Sequence, residues 1–125
     1  MTANTARPVN LNLFKIHQPI TAIVSGLHRL TGVALVLNIP TLIYLFSLSL
    51  RDAQGFARVA ALLQSPLAKP LLLLAAWFLV HHLLAGMRFL LLDLELGIAK
   101  GSARRSAWLV IALEIATMAL LGISL

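Results

Sequence analysis

Two adjacent histidines within an apolar segment are the residues of this sequence best suited to carry chemistry. His81 and His82 interrupt the run PLLLLAAWFLVHHLLAGMRFLLL, and His82 comes 12 residues after Pro70. On a helix this places His82 about 18 Å along the axis, deep in a bilayer. An imidazole there needs a partner, and the usual ones are a haem iron, a proton relay or an interhelical hydrogen bond. Gly86, one turn further along the same face, leaves room for a flat macrocycle or a close helix.

A second polar group, SGLHRLTG, stands near the start of the first apolar segment. On a helix, Ser25, His28 and Arg29 share one surface at the depth where headgroups meet acyl chains. Ser25 and Arg29 can donate hydrogen bonds to the carbonyl oxygens of an amphipathic ligand, and His28 or Arg29 can pair with a carboxylate. The spacing fits equally well an Arg29 that extends to the interface and a Ser25 that bonds its own backbone.

Counting along each segment places the two histidine groups at different depths. His28 lies near the inner membrane surface, whereas His82 lies about 12 Å from that surface in a core roughly 30 Å thick. Axial ligands must face each other across one iron, so we expect any second ligand to come from another chain. His28 would then lie where it can meet haem propionates.

Three further ionisable residues fall within or beside the apolar segments, namely Arg88, Asp93 and Glu114. The simplest expectation for Arg88 is an ion pair with Asp93 or extension to the interface, and the alternative is pairing with a propionate or a soluble partner. A hydrogen bond across helices is the simplest account of Glu114. A proton-conducting role would need a polar face joining Glu114 to both surfaces, which the apolar residues around it do not provide.

The composition indicates an integral membrane protein. Hydrophobic residues make up 60% of the 125 residues and charged residues 11%, against about 45–50% and 25% in soluble domains. The absence of cysteine excludes disulfides, thiolate zinc sites and iron–sulfur ligation by this chain. The net charge of +6 comes from basic residues at the edges of apolar segments, so we expect contact with membrane lipid and no nucleic acid.

The apolar pattern predicts an all-α membrane protein in which three transmembrane helices form an up-down bundle. The whole chain, 1–125, is predicted to be a single transmembrane domain. Its spans are about 22–50, 70–92 and 107–125, which follow an irregular arm over residues 1–20.

Prolines and charges refine this prediction. Pro8 and Pro19 argue against a long helix in the arm, and Pro40 should kink the first span. The arm has no apolar core typical of a signal peptide, which favours a bacterial inner membrane. By the positive-inside rule the amino terminus is cytoplasmic, because its side carries Arg7, Lys15, Arg29, Arg88, Lys100, Arg104 and Arg105, against Arg51, Arg58 and Lys69 on the other.

Three stretches of the chain resemble one known family. They are RPVNLNL, PITAIVSGLHRLTGV and HHLLAGMRFLLLDLELG, and they are similar to the cytochrome b556 subunits of succinate dehydrogenase, the larger haem-binding membrane anchors of respiratory complex II. The pattern SxxHRxTG, followed some fifty residues later by HxxxGxRxxxxD, carries the resemblance.

The resemblance implies a membrane anchor that is not catalytic alone and that reduces ubiquinone together with partners. These partners are the flavoprotein and iron–sulfur subunits and a second small anchor subunit, which completes the bundle and shares haem b. Position by position, it implies quinone binding by Ser25 and Arg29, an axial haem bond from His82, and His28 and Arg88 beside the propionates.

The chain departs from the family pattern at two positions. Phe89 stands where some relatives have a second histidine, and His81 stands where relatives can have an aromatic residue. His82 keeps the spacing to Gly86, Arg88 and Asp93. Two alternatives to the implied function are a haem-free anchor for the soluble subunits and a small proton-conducting subunit, the second of which lacks the polar face that it would need.

Overall fold

Four helices make up most of the chain in the computed structural model, which describes residues 16–124. They are α1 (Ile20–Arg51), α2 (Ala53–Leu63), α3 (Ala68–Asp93) and α4 (Lys100–Ser124), and no strand occurs within the described range. Three of them, α1, α3 and α4, are long and apolar enough to cross a membrane. The predicted all-α membrane architecture is therefore confirmed, whereas the arm predicted over residues 1–20 lies outside the described range as far as residue 15.

The amphipathic helix α2 was not predicted. Asp52 precedes it, and the Oδ1 atom of Asp52 accepts a hydrogen bond of 2.6 Å from the amide of Gly55. This satisfies one of the amides that a helix start leaves without a partner. Gly55 and Val59 are buried on one face of α2. The short helix packs beside the end of α1.

Helix α4 begins at Lys100, seven residues before the predicted start of its span. The prediction followed the apolar run, whereas helical hydrogen bonding also takes in the polar segment GSARRSA. The turn that precedes α4 is tight, with φ of 60° at Glu95 and 78° at Gly97. Arg104 and Arg105 consequently lie within α4 rather than in a loop.

The buried positions are few and either small or polar. Helix α3 packs against both α1 and α4, and the described residues buried among these three helices are Val24, Thr31, His81, Ala85, Arg88, Ala107, Val110 and Glu114. Most large apolar side chains point outward. Lipid is as apolar as leucine, so close packing of small residues and polar contacts between helices hold such a bundle together.

Candidate functional site

A hydrogen bond between helices orients the imidazole of His82. Its Nδ1 atom lies 3.0 Å from the backbone carbonyl oxygen of His28 on α1, and the Thr31 hydroxyl lies 3.5 Å from the same nitrogen. Because a carbonyl oxygen only accepts hydrogen bonds, Nδ1 carries the hydrogen. In the neutral ring the Nε2 atom of His82 then keeps its lone pair, which is the state of a histidine ready to ligate a metal.

The rings of His28 and His82 stack on each other. Their centroids are 4.2 Å apart and their planes are 9° from parallel. Two glycines make room for this pair: a Cβ atom on Gly32 would lie 2.9 Å from Cε1 of His82, and one on Gly86 would lie 3.3 Å from Nε2 of His28. The space that the sequence predicted beside Gly86 therefore receives the His28 ring.

The expectation that His28 and His82 lie at different depths is wrong. It assumed that each span starts at a membrane surface fixed by its own apolar run, and it could not include the axial shift between α1 and α3. The two rings are stacked face to face, so neither ring directs a nitrogen atom at the other across a gap. One iron consequently cannot take both as opposite axial ligands in this arrangement, so the expectation of a second chain now rests on orientation instead of depth.

A lipid-side groove of about 460 Å³ runs along this histidine pair. It is lined by His28, Arg29, Gly32, Val33, Val36, Leu37 and His82. Ser25 lies one turn nearer the start of α1, half-buried and outside this lining. Within residues 16–124 neither the Ser25 hydroxyl nor the Arg29 guanidinium bonds to another group of the chain. Of the three residues predicted to form one polar surface, His28 and Arg29 line the groove and Ser25 does not.

The surroundings of His81 differ from those of His82, because His81 lies inside the bundle. Its side chain is fully buried, its Nδ1 lies 2.9 Å from Oε2 of Glu114 on α4, and its Nε2 lies 3.4 Å from the carbonyl oxygen of Val24 on α1. The indole Nε1–H of Trp77 donates to the other carboxyl oxygen of Glu114. The interhelical hydrogen bond expected for Glu114 is confirmed, and both ring nitrogens of His81 have partners within the bundle.

Arg88 pairs with α4 and not with Asp93. Its Nε donates to the Ser106 hydroxyl at 3.0 Å and its Nη2 donates to the Ala103 carbonyl oxygen at 3.1 Å. The residue is only 6% exposed, so the simplest expectation of an ion pair with Asp93 or of extension to the interface is wrong. The early start of α4 explains the difference, because it brings Ser106 and Ala103 beside α3.

Several residues that complete this site were not singled out from the sequence. Thr31 and Gly32 follow His28 within SGLHRLTG, and the HxxxG spacing of His28 and Gly32 repeats that of His82 and Gly86. That repeated spacing was the available signal for a reciprocal contact. Trp77 carried a weaker signal, since it lies four residues before His81 on the same face of α3.

Comparison with known families decides the identity of the chain. Residues 3–121 match the family described as the succinate dehydrogenase/fumarate reductase transmembrane subunit. The chain belongs to this family. It is a multi-pass membrane protein and a membrane-anchor subunit of the succinate dehydrogenase type, as the sequence motifs predicted.

Two relatives extend this similarity over most of the chain. The chain is 35% identical over 124 residues to the succinate dehydrogenase cytochrome b556 subunit of Coxiella burnetii. The aligned region covers 96% of this chain and 97% of that protein. It is 32% identical over 106 residues to the subunit of the same name from Paracoccus denitrificans, with 85% of this chain and 82% of that protein covered. The similarity thus extends over the whole anchor and not only over the histidine motifs.

The donor set of this anchor subunit suits a metal held by a macrocycle. Residues 16–124 contain no group of three or more His, Asp or Glu side chains that could enclose an ion. An iron bound in a porphyrin needs only one or two axial ligands from protein. His82, with Nδ1 bonded to a carbonyl and its ring beside the groove, fits that requirement.

Proposed function

We propose that this anchor subunit binds haem b through His82 and forms part of the ubiquinone-reduction site of a succinate:ubiquinone oxidoreductase. The observation that carries the haem assignment is the 3.0 Å bond from Nδ1 of His82 to the His28 carbonyl oxygen. That bond leaves Nε2 as the ligating atom and orients the ring. His81 is the poorer candidate, because both of its ring nitrogens are bonded inside the bundle.

Haem b supplies a one-electron carrier beside the quinone when it is bound. In this proposal Gly32 and Gly86 keep the histidine rings close to the helix backbones, since larger residues would displace them. His28 and Arg88 would hold the propionates of a bound haem. The bonds of Arg88 to α4 use Nε and Nη2, which leaves Nη1 for a carboxylate.

A second small anchor subunit would supply the other residue that holds the haem. The ring nearest to His82 within this chain is stacked on it and cannot face it across an iron. The groove beside His82 also opens on the outer surface of α1, where Val36 and Leu37 are exposed. A helix of another subunit can reach the groove from that side and share the haem.

The quinone assignment rests on two polar groups near the start of α1, Ser25 and Arg29, whose side chains have no partner among the described residues. Ser25 and Arg29 lie one turn apart, and each can donate a hydrogen bond to a quinone carbonyl oxygen. Their position near the start of α1 is close to the membrane surface, where water can deliver the two protons of quinone reduction. The flavoprotein and iron–sulfur subunits dock on this side, and electrons from succinate arrive through the iron–sulfur subunit.

The distribution of basic residues indicates the orientation of the subunit in the membrane. We propose that the subunit lies in a bacterial inner membrane with its amino terminus in the cytoplasm, the side that carries the larger number of basic residues. The beginnings of α1 and α4 then lie at the cytoplasmic surface, and α2 lies at the opposite one.

The haem assignment is tested on the complex expressed with its partner subunits. A dithionite-reduced minus air-oxidised spectrum should show a sharp low-spin b-type band that His82→Ala abolishes, while His17→Ala, outside the helices, retains it. Lack of the band in the native complex would leave a haem-free anchor as the function.

The quinone assignment has its own assay. Ser25→Ala and Arg29→Ala should lower succinate:quinone reductase activity at least tenfold while succinate oxidation by an artificial dye persists. Arg105→Ala, a cation at the same end of the bundle, serves as the control. Equal loss of both activities in the Ser25 and Arg29 variants would contradict the quinone site and indicate a failure of assembly.

A further inference from the structure

The adjacent histidines of α3 bond to two carbonyl groups of α1 that are one helical turn apart. His81 reaches the carbonyl oxygen of Val24 at 3.4 Å, and His82 reaches that of His28 at 3.0 Å. Such paired bonds define the axial position of one helix against the other, because a shift along the axis would break both. The position of α1 relative to the His82 ring therefore depends on His81 as well.

The tautomer of His81 is what makes its bond to Val24 possible. Because the Val24 carbonyl only accepts, Nε2 of His81 must carry a hydrogen. The Nδ1 atom faces Oε2 of Glu114 at 2.9 Å, and the hydrogen between them can belong to either atom without changing Nε2. Without Glu114 the Nδ1 atom loses its partner, and the single 3.4 Å bond to Val24 no longer fixes the rotation of the ring.

Glu114 is itself held in place on its other side. The Trp77 indole donates to Oε1 of Glu114, so one carboxyl group bonds to two α3 residues one turn apart. His81 is fully buried and Glu114 is 6% exposed. Within hydrocarbon no water can take the place of these hydrogen-bond partners. An arrangement that breaks the bonds of Glu114 is therefore costly in free energy.

We propose that Glu114 is a positioning residue for the histidine pair: held by Trp77, it orients His81 toward Val24 and so sets the placement of α1 beside His82. This inference rests on the proposed function for its haem readout and goes beyond it, because Glu114 touches neither ring of the stacked pair. The chain of contacts runs from α4 through α3 to α1. It assigns a role to the ionisable residue that the family motifs leave without one.

The test compares Glu114→Ala with Glu114→Gln in the assembled complex. The glutamine amide oxygen can accept from Trp77 while its NH₂ group donates to Nδ1 of His81, so this variant should keep the native arrangement. The alanine variant should shift the haem EPR g-values and the haem midpoint potential. Thr117→Val is the control, since the Thr117 hydroxyl bonds only the Leu113 carbonyl of its own helix.

A second readout does not depend on haem. Solid-state NMR of the ¹⁵N-histidine-labelled complex reports which ring nitrogen carries hydrogen, and the His81 signal is identified by its loss in His81→Phe. We expect the Nε2–H resonance of His81, which reports the bond to Val24, to be the same in the native complex and in Glu114→Gln and to shift in Glu114→Ala. Absence of haem from the native complex would remove the proposed function, while this spectrum would still test the role of Glu114.

Two results would contradict the positioning role of Glu114. Native g-values, potential and His81 Nε2–H resonance in Glu114→Ala, even with a lower melting temperature, would show that Glu114 stabilises the bundle without positioning the histidines. Should Glu114→Ala fail to assemble, Trp77→Phe removes a single donor to the carboxyl group. A shifted EPR spectrum in that variant supports the proposal, and a native spectrum overturns it.

Discussion

The imidazole rings of His28 and His82 lie face to face, with centroids 4.2 Å apart and planes 9° from parallel. Each histidine is followed four residues later by a glycine that lies against the partner ring, Gly32 at His82 and Gly86 at His28. The contact is therefore reciprocal between the antiparallel helices α1 and α3. Bonding of Nδ1 of His82 to the His28 carbonyl then leaves Nε2 of His82 for a ligand.

Gly32→Ala should displace the His82 ring. The added Cβ would lie 2.9 Å from Cε1 of His82, which is too close for van der Waals contact, so the ring must rotate or the helices must separate. We expect a weakened or shifted b-type band in the difference spectrum. Gly26→Ala is the matched control, because nothing lies within 4 Å of a Cβ at that position on the same helix. Native spectra for both variants would contradict a tight fit at Gly32.

Arg88→Ala should destabilise the α3–α4 contact. It removes two hydrogen bonds from a charged donor, to Ser106 and to the Ala103 carbonyl, and such bonds contribute about 1.5–3 kcal/mol each. Ser106→Ala removes only one of these bonds and should cost less, about 1.5–3 kcal/mol. Melting temperatures of the purified complex measure both, and the double variant should fall short of additivity. Additive effects would indicate that the two residues stabilise the complex independently.

Asp52→Ala should loosen the start of α2. It removes the bond from the Asp52 carboxylate to the Gly55 amide, and loss of such a helix cap costs about 0.5–2 kcal/mol. Asp52→Asn retains an acceptor oxygen and should stay close to native. Melting temperature again provides the measurement, and an Asn variant as unstable as the Ala variant would show that charge rather than capping matters.

Gly55→Ala should be more disruptive than loss of the cap. A Cβ on Gly55 would lie 2.3 Å from the backbone carbonyl oxygen of Leu48, and backbone cannot move aside as a side chain can. The approach of α2 to the end of α1 requires the missing side chain at this position. Expression level and melting temperature should both fall below those of Asp52→Ala, and a native-like Gly55→Ala complex would contradict this close approach.

The absence of cysteine allows a direct test of orientation. Gln64→Cys lies in the connection between α2 and α3, and Arg105→Cys lies near the start of α4. A membrane-impermeant maleimide should label the cysteine at 64 in intact spheroplasts and the one at 105 only after permeabilisation. The opposite labelling pattern would place the amino terminus outside the cytoplasm.

The sequence alone was enough to predict the membrane class, the three long helices and the family. A bilayer demands about 20 apolar residues per span, and each long helix contains such a run. The motifs around His28 and His82 identified the family because they combine residue types with fixed spacing. The bond partners of Glu114 were also foreseeable in kind, because an ionisable group at that depth must find a polar partner on another helix.

Only the tertiary structure decided how the helices stand against one another. Apolar runs locate each helix in the bilayer to within a few residues, but the stacking of His28 on His82 depends on a shift along the axis of that same size. The pairing of Arg88 with Ser106 likewise required the two extra turns of α4. These features come from bonds and close contacts between helices, whose geometry a one-dimensional pattern of polarity does not contain.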